Sequence, residues 1–186
     1  MLAPDRLAAL DSFLIELNRA AAEVIAPLFR ADHGLEDKGT ATWFDPVTAA
    51  DKGAEAAIRQ LITEHYPEHG VIGEEYGEGR PEAEIVWVLD PVDGTRAFIA
   101  GERHFSHSLA IARNGEIVAA AVYLPALDRL YLASKDGPAL ADGVPIHAST
   151  KGLADAPNIL TSKASLDPGY WTNPPIFQRS FRASLA

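Results

Sequence analysis

Cysteine is absent from the 186-residue chain, so neither a disulfide framework nor a thiolate metal site is available. Any bound metal must be held by hard oxygen ligands or by histidine. Basic residues are in the minority, 16 Lys and Arg against 26 Asp and Glu, and no local basic patch relieves the net charge of −10. Such a surface repels phosphate backbones and anionic lipid headgroups, which argues against nucleic-acid and membrane partners. No apolar run approaches the ~20 residues that span a bilayer. Asp5, Asp11, Glu16 and Glu23 also interrupt the region where a secretory leader would need a cationic start and an unbroken apolar stretch. A cytoplasmic protein is the expectation. Missing too are a Gly-rich nucleotide loop, a Ser or Cys nucleophile elbow and a His-Glu-x-x-His pair.

What is present fits an ordinary folded chain. Hydrophobic residues make up 47%, with 13 Pro and 14 Gly, which argues against disorder. A chain of this length hides roughly 70% of its unfolded surface and holds one large domain, or one domain and part of another.

Leu7, Leu10, Leu14, Leu17, Ala21, Val24 and Leu28 recur at steps of three and four, which predicts a long amphipathic helix starting after Pro4. Residues 31–47 read as a loop or mobile hairpin. Thr48 looks like an N-cap for a second helix, on which Ala54, Ile58, Leu61 and His65 share a face and which Pro67 and Gly70 stop. From Val71 the period becomes that of strands. Val71 and Ile72 lead into Gly73-Glu74-Glu75, and the apolar run Ile85 to Leu89 ends at Asp90.

Phe105 to Ala112, Asn114-Gly115 and Ile117 to Leu124 form a hairpin signal, because Asn-Gly supplies the two positive φ angles of a type I′ turn. Ser106, Ser108, Ala110 and Ala112 share one face of the first strand, and these small residues predict a helix lying close against them. Arg129 to Ala133 adds a strand and Pro145 to His147 a short edge. The pattern implies α+β layers, with N-terminal helices on an antiparallel sheet. A break near residues 148–157 divides the chain into a domain at 1–149 and the beginning of another at 150–186, where Asn158 to Thr161 reads as a strand and Pro175 to Ala186 as a helix.

Acids gather where regular elements end: Thr48 to Asp51, Gly73-Glu74-Glu75, and Asp90-Pro91-Val92-Asp93-Gly94-Thr95. Singly, each has an ordinary explanation, the first as a cap, the second as a solvated turn, the third as a turn rich in Asp-Pro and Asp-Gly. Together they say more. A strand ending in Asp90, with Asp93 three residues on, can aim two carboxylates and a backbone carbonyl at one point, the donor set that a hard divalent cation takes. Without a cation such carboxylates would raise one another's pKa. Gly94 and Thr95 then open a short helix, where N–H groups can receive a phosphate. The six histidines form no metal motif, and His104 and His107 fall on opposite faces of an extended strand.

These segments, VTAAD, GEE and WVLDPVDGT in that order and spacing, resemble the inositol monophosphatase family of Mg²⁺-dependent, Li⁺-sensitive phosphatases, from the first helix to about residue 186. The resemblance implies the layered α/β sandwich of that family and hydrolysis of a small phosphate monoester, inositol monophosphate or histidinol phosphate. It assigns Glu74, Asp90 and the Val92 carbonyl to a first Mg²⁺, Asp90 and Asp93 to a second, and Glu74 with Glu75 to a third, looser one. Asp51 and Thr95, with Glu74, would form the catalytic set that orients and activates the attacking water. The amides of Gly94 and Thr95 would bind phosphate, Lys38 matches a lysine on a mobile loop over the site, and Arg96 in DGTRAF is closer to the histidinol-phosphatase branch. Family members are commonly dimers, so a homodimer is one expectation.

The family's later Trp-Asp-x-Ala-Ala-Gly segment, whose Asp completes the second metal site, has no counterpart, since Trp171 is followed by Thr172. The resemblance therefore implies a chain that stops within the C-terminal α/β domain. Two rival functions stand beside the phosphatase: a non-catalytic metal-binding fragment, and a 3′(2′),5′-bisphosphate nucleotidase.

Overall fold

The computed structural model describes residues 4–31, 36–37, 46–47 and 49–150. The first helix, α1 (Pro4–Ile25), forms around Leu10, Leu14, Leu17, Ala21 and Ile25, which all face inward, with Phe13 alongside them. Pro27, two residues beyond, cannot continue the ladder. A two-residue ribbon follows, β1 (Glu36–Asp37) antiparallel to β2 (Pro46–Val47), so the segment expected as a loop or hairpin pairs as a hairpin.

The second helix, α2 (Ala49–His65), ends just ahead of Pro67, which disfavours helical geometry in the residue before it. Its buried face differs from the expected one. Ala50, Ala54, Ile58 and Ile62 recur at every fourth position, and Asp51 and Glu55 are buried on the adjoining stripe, whereas Leu61 is half-buried and His65 exposed.

Eight strands form one sheet: β3 (Gly70–Gly73), β4 (Gly77–Gly79), β5 (Ile85–Asp93), β6 (Ser106–Arg113), β7 (Glu116–Leu124), β8 (Arg129–Ser134), β9 (Ala139–Ala141) and β10 (Val144–Ile146). Their order across the sheet is β10-β9-β8-β7-β6-β5-β3-β4. A short helix, α3 (Thr95–Ile99), joins β5 to β6. The sheet is mixed: β3 runs parallel to β5, and the other pairs are antiparallel. Asn114 and Gly115 take φ of 50° and 80°, as the type I′ expectation for the β6–β7 hairpin required.

Register explains where the core sits. Trp87 lies opposite Ile111, which lies opposite Ala119, and Leu89, Leu109 and Ala121 make the next row. These two rows are buried against Leu14 and Leu17 of α1 and Ile58 and Ile62 of α2. Phe13 meets the Trp87 ring edge-on at 5.6 Å. The helices therefore cover the large-residue face of β6. The small face, Ser106 to Ala112, has no helix on it among the described residues, because α1 and α2 gain more by burying Leu109 and Ile111 than by approaching Ala and Ser.

Thr48, Lys38 and all of the expected second domain beyond residue 150, with its strand at 158–161 and helix at 175–186, lie outside the described residues. Among the described residues no helix is long and apolar enough to cross a membrane.

Ile58 is fully buried between the helices and the sheet. Ile58→Ala is expected to cost about 2–5 kcal/mol of unfolding free energy in urea melts, while Ile117→Ala, at a side chain 51% exposed, stays within about 0.5 kcal/mol. Equal losses at the two positions would refute this core.

Candidate functional site

Parallel pairing builds the site. Gly73 of β3 is opposite Leu89 of β5, and because both strands run the same way, Glu74 and Asp90 follow this last pair at the same end of the sheet. Beyond Asp90 the strand bulges: Asp90 pairs with Ser108 and Asp93 with Ser106, so three steps on β5 match two on β6. Pro91, which has no N–H to give a ladder, sits in that bulge. Its carbonyl is taken by the buried His107, whose Nδ1 must therefore carry the proton. Burial pushes the His107 pKa down to about 4, so the imidazole is neutral.

Gly94 follows in the left-handed region, φ 89° and ψ 37°, and starts α3. A side chain there would be strained by the backbone and would crowd the His104 carbonyl oxygen, 3.2 Å from an ideal Cβ. The turn brings the Thr95 hydroxyl to 3.1 Å from the Val92 carbonyl and 3.3 Å from Asp51 Oδ1, which reaches in, 4% exposed, from the first turn of α2.

The consequence is electrostatic. Burial pushes the Asp90 pKa up from 3.8 to about 7, reinforced by the charges of Glu74, Asp93 and Asp51 and by a hydrogen bond to the Glu74 side chain. Two carboxyl groups can share a hydrogen bond only with a proton between them. Asp90 Oδ1 is buried with no hydrogen-bond partner among the described residues. This crowd of acids with an orphaned oxygen suits a hard cation, which would take the place of the shared proton and satisfy the free oxygen. No group of three His, Asp or Glu side chains among the described residues is already arranged to hold an ion.

The expected residues are thus partly assembled. Glu74, Asp93 and Asp51 all act on Asp90, and Val92, Gly94 and Thr95 line the same turn. Glu75 and Arg96 are not among the groups acting on Asp90; Glu75 is half-buried and Arg96 is exposed. Lys38 is outside the described residues. Sequence reasoning passed over Glu55 and Arg59. Glu55, completely buried, accepts the Glu75 N–H at 2.7 Å and the Tyr76 N–H at 3.2 Å, and pairs with Arg59 Nε at 2.7 Å. The available signal was an acid one helical turn after Asp51, beside the apolar stripe of Ala54 and Ile58.

Comparison with known proteins gives a consistent outcome. The model of the inositol monophosphatase family matches residues 6–184. Over 142 residues the chain is 35% identical to a histidinol-phosphatase of Chlorobaculum parvum, covering 75% of this chain and 54% of that protein. It is 40% identical over 114 residues to an inositol-1-monophosphatase of Rhizobium meliloti, covering 60% and 43%. Among solved structures, an inositol monophosphatase from Zymomonas mobilis superposes with a TM-score of 0.67 at 35% identity, over 78% of this chain and 55% of that one. The chain spans about half the length of these relatives.

The raised pKa of Asp90 has a definite sign. The folded state holds a proton there that the unfolded chain has released, so without metal this group costs stability as pH rises from about 4 to about 7. In chelator-treated buffer, Asp90→Asn is expected to unfold at higher urea than the parent at pH 8, with the gap closing toward pH 4. A gap that does not change with pH would contradict the carboxylate crowding.

Proposed function

The chain belongs to the inositol monophosphatase family, and from that premise we propose that it serves Mg²⁺-dependent hydrolysis of a small phosphate monoester. The observation that carries this reading is the crowding of Glu74, Asp93 and Asp51 around Asp90, at a sheet end that runs directly into Gly94 and Thr95. In this reading Glu74, Asp90 and the Val92 carbonyl hold one ion, Asp90 and Asp93 a second, and Glu74 with Glu75 a third, looser one. A divalent cation held by these residues would supply a lowered pKa for the attacking water and charge to offset that building on the attacking and leaving oxygens.

The side chains do the rest. Asp51 accepts the proton of the attacking water, and its burial on a rigid helix keeps that acceptor in one place. The Thr95 hydroxyl has one proton, which it gives to the Val92 carbonyl or to Asp51, and its remaining lone pairs orient the water. The N–H groups of Gly94 and Thr95 receive phosphate oxygens, and Gly94 has no side chain to hold the anion away. Lys38, outside the described residues, keeps in this reading the accessory role that the family resemblance implies.

Histidinol phosphate and inositol monophosphate are the leading substrates. The first is favoured by Arg96 in DGTRAF and by similarity to a protein named as a histidinol-phosphatase. Residues 1–149 are proposed as the N-terminal metal-binding domain and 150–186 as the start of a C-terminal α/β domain. A cytoplasmic homodimer completes the proposal.

Phosphate release from histidinol phosphate, inositol 1-phosphate and adenosine 3′,5′-bisphosphate, with and without Mg²⁺, tests the reading on the purified full-length gene product. Release from one of the first two is expected only with Mg²⁺. Asp93→Asn is expected to lower it by more than the ~10- to 100-fold that outer partners of a metal ligand cost. Preference for the bisphosphate would mark a nucleotidase, and silence on all three would favour a non-catalytic role.

A further inference from the structure

We propose that Glu55, with Arg59, is a positioning residue that fixes Glu74 relative to Asp51, an inference that rests on reading Glu74 as a metal ligand. Glu74 is exposed, on the three-residue turn between β3 and β4, and β4 is the edge of the sheet. The Glu74 side chain shares a hydrogen bond with that of Asp90, and where its backbone sits depends on what ties the turn down. Glu55 reaches under the turn from α2. Its Oε2 accepts the Glu75 N–H at 2.7 Å, and its Oε1 accepts the Tyr76 N–H at 3.2 Å and the Arg59 Nε–H at 2.7 Å. Arg59 also donates to the Gly77 carbonyl, so the far side of the turn is tied to the same helix.

Gly73 completes the arrangement. A Cβ on it would lie 2.1 Å from Glu55 Oε1, so the carboxylate occupies the space a side chain would need. The turn is closed without this help, since Gly73 and Gly77 already pair in the β3–β4 ladder. A completely buried carboxylate is a costly way to support it, and well-packed apolar groups would serve stability as well. What the carboxylate adds is geometric: α2 carries Asp51 one turn before Glu55, so a single rigid helix sets the positions of both Asp51 and the backbone next to Glu74.

The test uses the full-length gene product, Mn²⁺ as the probe ion and two variants, Glu55→Gln and Arg59→Met. Mn²⁺ binding is followed by electron paramagnetic resonance, and amide hydrogen exchange reports the turn. The expected result for Glu55→Gln is a roughly 10- to 100-fold loss of Mn²⁺ affinity. The Glu75 and Tyr76 amides should exchange faster, while those of Ile58 and Ile62 stay protected. Arg59→Met should weaken binding in the same direction, and it carries the test if Glu55→Gln does not fold. A purely structural role would lower the melting temperature but leave the folded variants within twofold of the parent in Mn²⁺ affinity, and that outcome overturns the proposal. A parent protein that binds no Mn²⁺ overturns the metal reading of Glu74, and this proposal with it.

Discussion

Four carboxylates around one sheet end repel one another, and the rest of the local architecture is what keeps them together. Asp90 is acted on by Glu74, Asp93 and Asp51, all in the direction that favours its protonated form. A free chain would separate such charges. Here a parallel strand pair, a bulge, a left-handed glycine and the first turn of a buried helix each fix one of them. These devices adjoin the core around Trp87, Leu89 and Leu109, to which Ala50 of the helix and Val92 of the bulge belong. Without a cation, the gathered acids cost stability, as the raised pKa of Asp90 shows.

The second helix links the two. Ala50, Ala54, Ile58 and Ile62 face the core, and the stripe beside them places Asp51 and Glu55 under the acidic sheet end. A helix packed by its apolar face cannot rotate to relieve the charges on its polar one. The same packing that stabilises the fold thus sets the distance from Asp51 to the Thr95 hydroxyl and supports the turn bearing Glu74.

Local rules made much of this legible. The stripe from Leu10 through Ala21 gave α1, and Asn114-Gly115 fixed a hairpin because few other dipeptides tolerate two positive φ angles. Asp90, Asp93 and Gly94 were readable because their spacing is local. The parallel pairing of β3 with β5 was not, since the run that joins them gives no sign of direction, and an antiparallel sheet was the expectation. The inward face of α2 was misplaced by including Leu61 and His65, because the buried acids Asp51 and Glu55 shift the stripe away from the one that hydrophobicity alone defines. The role of His107 and the presence of Glu55 were not legible for a related reason. Each serves a backbone group distant in sequence, Pro91 in one case and Glu75 with Tyr76 in the other, and no spacing rule connects them.

His107 and Asp90 also set opposite pH dependences within one bulge. A buried neutral imidazole with its pKa near 4 costs stability as pH falls below 6.5, because the unfolded chain takes up the proton first. Asp90, with its pKa near 7, costs stability as pH rises through the same range when no cation is bound. The two effects oppose each other between about pH 4 and 6.5, so the metal-free bulge gains little from either acid or base. A cation on Asp90 would remove the second cost and leave the first. The bulge would then be most stable near and above neutrality, where its carboxylates are ionised and its imidazole neutral, the protonation states that the proposed chemistry requires.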